Sequence, residues 1–236
     1  MRKAWILLKM GLRQLFTDGM LVMLMVAPLL IGLVFRFGIP ALNTLLTEKL
    51  DFSLLPWYPL FDAFMIMLTP CMIGMAGAFL ILDECDEGTA LYYRITPTEG
   101  PFYLMTRIGI PMVWGAVTSV ATVLIFGISG MPLLQILAGS FLSALAGTFV
   151  AMMVVSLAGN KVEGLALSKL SGIIFAGLFV AWFAPAPYKY ASAFLPSFWL
   201  GEVIKSEVNL LSLVIGTVVC VIWIAGFSGR FMRKIR

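Results

Sequence analysis

The pattern of apolar and polar positions is dominated by six long, continuous apolar runs. They lie at approximately Met20–Phe37, Leu60–Leu82, Tyr103–Ile128, Leu133–Leu157, Leu165–Phe183 and Leu210–Phe227. Each is close to the ~20 residues that carry a helix across a bilayer core. A closed barrel is the other way to span lipid, but it needs short alternating strands, and these runs do not alternate. Ahead of the first run, residues 2–16 can form a helix with Trp5, Leu8, Leu12 and Leu15 on one side and Arg2, Lys9 and Arg13 flanking that stripe. Such a helix suits the membrane interface; the alternative is an inward extension of the first span. No small-residue cleavage site follows the first run, so it is expected to be a retained helix. Between the fifth and sixth runs, residues 188–204 are too short and broken to span and too apolar for a free loop. They predict one or two short helices re-entering the outer leaflet, bent at Pro196, with Tyr188, Tyr190 and Trp199 at the interface. The expected fold is an all-α membrane protein: one transmembrane domain over residues 1–236, six transmembrane helices, an N-terminal amphipathic interface helix, and short re-entrant outer helices between spans five and six.

Composition agrees and adds orientation. Hydrophobic residues make up 61% of the chain and charged ones 12%, with a mean hydropathy of +1.02, far from the balance of a soluble domain. With both termini in the cytoplasm, twelve of the sixteen Lys and Arg residues fall on the inner side. Arg36, Lys49, Lys189 and Lys205 are then outside, an arrangement the positive-inside rule favours. Pro28, Pro70 and Pro111 are expected to interrupt spans one, two and three. Gly74 and Gly77, Ser140 and Ala144, and Ser143 and Gly147 offer close helix approach, within a subunit or between subunits. Arg36 and Asp62, at the outer ends of spans one and two, are expected to approach each other as an outer charge pair. No lysine is counted within a span and no ionisable group near a span's middle, which argues against a proton-coupled carrier.

Candidate chemistry is sparse. The chain has no histidine, which excludes Ser-His and Cys-His nucleophilic pairs and His-based zinc or haem sites. Cys71, Cys85 and Cys220 form no Cys-x-x-Cys pair. No phosphate loop is present; Gly159-Asn-Lys161 lacks the second glycine and the hydroxyl in register. No metal site, nucleic-acid partner or intrinsic ATPase is expected.

The dense feature is the turn after span two, Asp83-Glu-Cys-Asp-Glu-Gly-Thr89, where four carboxylates fall within five residues. A helix continuing to Glu87 would end at Gly88, leaving the acids at its electronegative end. No Lys or Arg lies within four residues of them, so cations must come from elsewhere: Arg2, Lys9 and Arg13, or another protein. Thr96-Pro97-Thr98-Glu99 has the form of a capping box opening a new helix. Between them, Leu91, Tyr92, Tyr93 and Ile95 make an apolar tip. The turn suits docking; the alternative is a solubilising turn.

Glu84-x-x-Glu87-Gly88-Thr89 followed by Thr96-Pro97 resembles the acidic-Gly-Thr…Thr-Pro pattern of ABC-2 type transporter permeases. The six runs, the interface helix and the apolar segment before the last run resemble that family as well. Cys85 and Ala90 depart from it, at positions where a basic and an acidic residue are common. The resemblance implies that residues 83–99 form a coupling loop seated on a separate ATP-binding cassette subunit. Its contacts would be Glu84, Asp86, Glu87, Gly88, Thr89, Tyr92, Tyr93, Thr96 and Pro97. It further implies a second permease subunit, as homodimer or heterodimer, ATP and Mg bound by the partner, and residence in a bacterial plasma (inner) membrane. Export of small amphipathic compounds such as drugs is the expected activity. Met65, Met67, Phe175 and Phe179 are candidates for an apolar path, with lipid-facing surface as the alternative. A scaffold or immunity protein that binds without transporting is the competing class, and an intramembrane enzyme is a more distant one.

Overall fold

The computed structural model describes residues 16–88, 103, 105–205 and 208–235. The interface helix expected at residues 2–16 lies outside them apart from Phe16, as do Thr89, Tyr92, Tyr93, Thr96 and Pro97. Every regular element among the described residues is helical. These are α1 (Gly19–Leu50), α2 (Tyr58–Asp86), α3 (Ile110–Phe126), α4 (Leu133–Leu157), α5 (Lys161–Ile174), α6 (Ala176–Phe183), α7 (Pro196–Lys205) and α8 (Leu210–Ile235). A 3-10 turn, Leu55–Trp57, leads into α2, and a π-turn, Met105–Gly109, into α3. Six segments are long and apolar enough to cross a membrane, with α5 and α6 together making the fifth. The chain is thus an all-α, multi-pass membrane protein. The end carrying Asp18, Asp83 and Lys161 is the one expected to face the cytoplasm and is called the inner end below.

Spans two and four form the centre, and most of their residues are buried; spans one, three and six are largely exposed to the surroundings. Glycine sets how closely the central pair approach. A Cβ on Gly147 would lie 2.5 Å from the carbonyl oxygen of Pro70, and one on Gly74 would lie 2.8 Å from that of Gly147. Gly77 is equally tight against the Arg107 carbonyl, at 2.7 Å. These small residues, with the buried Ser140, Ser143 and Ala144, are therefore used for packing within one chain.

Pro70 cannot donate to the carbonyl four residues back, so Ile66 is left with a free acceptor in the middle of α2. Ser119 of α3 donates to it at 2.9 Å and also shares a hydrogen bond with Ser140 of α4 at 3.1 Å. One proline thus draws three spans together at mid-bundle, where lipid supplies no water. Pro111 plays a different part from the interruption expected of it: it stands in the first turn of α3, after the π-turn.

Three boundaries differ from expectation, the simplest being the last helix, which continues past Phe227 to Ile235. The first helix runs to Leu50 instead of ending near Phe37, because Pro40 is accommodated and helix-forming residues continue to Leu50. It stops at Asp51, which takes a left-handed conformation at φ 51° and donates its N–H to the Leu46 carbonyl. At 32 residues this helix is about 48 Å long, well beyond a hydrocarbon core of about 30 Å. Its last turns project past the outer end. The fifth span starts at Lys161 instead of Leu165, since Asn160 caps it by accepting from the Glu163 N–H (2.8 Å), while Glu163 accepts from the Gly159 N–H (2.6 Å). This is a variant of the capping box in which the acid reaches the N–H of the residue before the cap.

The segment after span five re-enters. The Leu178 N–H donates to Phe175, leaving the Ile174 carbonyl at the α5–α6 break to accept from the Ser197 hydroxyl. The chain has therefore turned back from the outer end of α6 to the depth of that break. From Pro196, α7 runs alongside α6 in the same direction, until Lys205 reaches the carbonyls of Ala181 and Trp182 at 3.2 and 2.9 Å. Trp223 of α8 donates to the Phe194 carbonyl at 2.8 Å. It lies about 20 Å along α8 from that helix's start, which places the bottom of the hairpin deep in the bundle.

Candidate functional site

The acidic turn is where α1, α2, the π-turn before α3, and α5 converge. Lys161, the first residue of α5, bridges Asp18 ahead of α1 (2.6 Å) and Asp83 near the end of α2 (2.8 Å). Its backbone N–H donates to Asp86 at 2.9 Å. A carboxylate at the end of α2 is disfavoured by that helix's own dipole, but Asp86 also stands at the N-terminus of α5, where negative charge is favoured. Glu84 points the other way. It is buried at 4% exposure, ion-paired with the equally buried Arg107, and accepts from the Tyr103 hydroxyl at 2.5 Å. A charge pair removed from water persists only where further hydrogen bonds complete it; Tyr103 supplies one.

Three of the four acids are thus engaged within the chain by residues distant in sequence, Asp83 and Glu84 by cations and Asp86 by a backbone N–H. Glu84, expected to touch a partner, faces the fold; in the docking hypothesis it can act only through Arg107 and Tyr103. Asp86 and Glu87 are exposed, and Glu87 has no partner among the described residues. Gly88 ends the helix at φ +71°, with open space around a notional Cβ, so the backbone conformation alone requires glycine there. Arg107 and Lys161 were missed as site residues. The available signal for Lys161 was the Asn160-x-x-Glu163 capping pair, which places it at a helix start; nothing in the sequence pairs Arg107 with Glu84.

Asp18 yields a pH prediction. The hydrogen bond from Lys161 is the largest influence on its carboxyl, followed by partial burial acting oppositely and the Met20 N–H; the result lies below the usual value of 3.8. A depressed carboxylate contributes stability that is fully present above its unfolded value and lost as pH falls through the folded one. The difference in thermal unfolding midpoint between the wild type and Asp18→Asn should therefore stay constant above about pH 5 and shrink below pH 4. Unfolding in detergent across that range measures it, and a difference that grows on acidification would contradict the assignment.

At the outer end, Arg36 and Asp62 meet the same turn without an ion pair between them. Arg36 donates to the Gly127 carbonyl at 2.8 Å. Asp62 is buried and accepts from the N–H groups of Ile128 (3.1 Å) and Ser129 (2.9 Å) and from the Ser129 hydroxyl. Both side chains serve as clamps on the α3–α4 connection.

A cleft of about 450 Å³ opens between α2 and the α5–α6 span. Phe64, Phe175 and Phe179 lie at its outer part, with ring centroids 5.4 and 6.1 Å from Phe64; Met72, Met75 and Lys169 lie toward its inner part. Two of the four residues expected along an apolar path, Phe175 and Phe179, are here. Met65 and Met67 are instead fully buried in the core, facing neither path nor lipid. Lys169 corrects the expectation that no lysine lies within a span: it is part of the helical span Lys161–Phe183.

A six-span helical bundle with this turn defines a polytopic membrane protein of the permease class. A profile of the family described as fluoroquinolones export permease protein Rv2686c-like matches residues 11–227, and the chain belongs to that family, whose ABC-2 character agrees with the acidic-Gly-Thr…Thr-Pro pattern. The fluoroquinolones export permease proteins MT2760 and Rv2686c, from the CDC 1551 and H37Rv strains of Mycobacterium tuberculosis, are each 34% identical to it over 122 residues. That stretch covers 50% of this chain and 47% of each relative, so the chain spans about half the length of the curated relatives it matches. No solved structure matches significantly.

Proposed function

We propose that the chain is the membrane-spanning subunit of an ATP-driven exporter of small amphipathic drugs, fluoroquinolones among them. In this reading both termini face the cytoplasm of a bacterial plasma membrane, and a separate ATP-binding cassette subunit, which holds ATP and Mg, docks on residues 83–99. A second permease subunit, identical or related, completes the pathway. The drug class rests on the family and on the names of its relatives. The coupling rests on one observation: Lys161 ties the end of α2 to the starts of α1 and α5. A push on the turn would then be delivered to three spans as one body, with Glu84–Arg107 carrying it to α3. The family match favours export over a scaffold that binds without transporting.

Glu87 offers the cleanest test, because it is exposed and its replacement breaks no contact within the described residues. Glu87→Lys should leave the amount and thermal stability of the permease unchanged. Drug-stimulated ATP hydrolysis by the reconstituted complex should fall at least tenfold. Undiminished stimulation would remove the turn from the coupling pathway.

A further inference from the structure

We propose that the α2/α5–α6 cleft is a binding site for a planar aromatic carboxylate, with Lys169 as the anchor for its anionic group; this rests on the exporter reading and names the site at which the drug is held. Lys169 is eight residues beyond Lys161, which is bound to the inner carboxylates, so its backbone lies about 12 Å further along the span. Ionisable residues at such depth are costly to place, and they mark ligand or ion pathways when they have no structural partner. Lys169 has no acid or carbonyl partner among the described residues, whereas Lys161, Lys189 and Lys205 all do. No carboxylate lines the cleft among the described residues either. Its remaining walls include three aromatic rings and two flexible thioethers, which adapt to flat apolar ligands, beside the small side chains of Ser168 and Ser171. The volume of about 450 Å³ falls in the range of drug-sized sites.

The polarity of the cleft also orients the ligand. Because α2 and α5–α6 run antiparallel, Phe64 is level with Phe179, and Met75 with Lys169. A ligand would lay its ring system on the outer phenylalanines and direct its carboxylate toward the inner end. A neutral compound of the same shape would gain the stacking but lack the ion pair.

The probes are norfloxacin and its ethyl ester, bound to the full chain in lipid nanodiscs and followed by fluorescence anisotropy. Lys169→Gln should weaken the acid about tenfold and leave the ester unchanged, and Lys169→Arg should restore the acid. Gly172 lies in the cleft wall with nothing within 4 Å of a notional Cβ. Gly172→Phe should therefore fill the cleft without disturbing the fold and abolish binding of both probes. Equal loss of acid and ester in Lys169→Gln, no loss of either, or full binding by Gly172→Phe would each overturn the assignment. If both Lys169→Gln and Gly172→Phe still export norfloxacin at the wild-type rate in the complete complex, the site is wrong and the exporter reading stands. Absence of export by the wild-type complex would instead remove that reading.

Discussion

Gly147→Ala should be among the most damaging single-methyl additions to this protein. The new Cβ would sit 2.5 Å from the Pro70 oxygen, 2.7 Å from its carbonyl carbon and 3.0 Å from the Cys71 nitrogen. All three are backbone atoms, so no side chain can rotate away, and α2 and α4 must separate. The contacts then loosened include Ile66, Met67 and Val150, which are fully buried. In lipid no solvophobic force presses helices together, and close backbone approach is a main source of their association. Overpacking ordinarily costs about 1–3 kcal/mol, and a rigid backbone clash belongs at the upper end or beyond. Gly147→Leu should yield no folded protein. Gly172→Ala is the matched control: it too replaces a helical glycine, but into open space, where loss of unfolded-state freedom makes the change neutral or stabilising by up to ~1 kcal/mol. Unfolding in a graded detergent mixture should separate the two variants widely. Coincident curves would mean that α2 and α4 are not in backbone contact.

What could be read from the sequence follows from which forces are local. Six runs and a re-entrant segment are legible because bilayer thickness imposes a length and a polarity on each element, independent of its neighbours. Gly88 was legible for a similar reason: a helix end followed by glycine is a local signal. Pairing is different in kind. Glu84 and Arg107 are separated by 23 positions, and Lys161 is 78 positions from Asp83. Nothing in composition chooses among cations when several could reach the acidic turn. Arg2, Lys9 and Arg13, or the cations of another protein, are equally eligible from sequence, whereas packing of spans two, three and five selects Arg107 and Lys161 among the described cations. Lys169 shows another limit. It fell inside the run assigned to span five, yet was counted with the cytoplasmic cations, because a charge sum treats every lysine near an end as solvated. The outer pair failed at a finer level. Arg36 and Asp62 do converge, but backbone donors and acceptors of the turn at 127–129 outcompete a direct ion pair, since buried peptide groups at a helix end need partners too.

Glu84→Ala should be the second severe change, and its cause can be separated from any role in docking. Arg107 has 4% of its side chain exposed and Glu84 5%. Removing the carboxylate takes an ion-pair partner from a buried guanidinium and an acceptor from the Tyr103 hydroxyl. Breaking one half of a buried pair typically costs about 3–5 kcal/mol, whereas replacing both partners with apolar groups of similar size is often neutral. Glu84→Ala is therefore expected to lower the yield of folded protein steeply, and Glu84→Gln less so, because the amide still accepts a hydrogen bond. The combined Glu84→Leu, Arg107→Met variant should regain most of the lost stability, measured by thermal loss of monodispersity. If the pair is only structural, that rescued protein will also show drug-stimulated ATP hydrolysis when reconstituted with the proposed ATP-binding subunit. If the pair transmits movement of the turn to α3, stability will return without it, because an apolar contact slides where a bonded one pulls. Failure of the double variant to recover stability would show that the two residues act separately, which contradicts the geometry at the base of the turn.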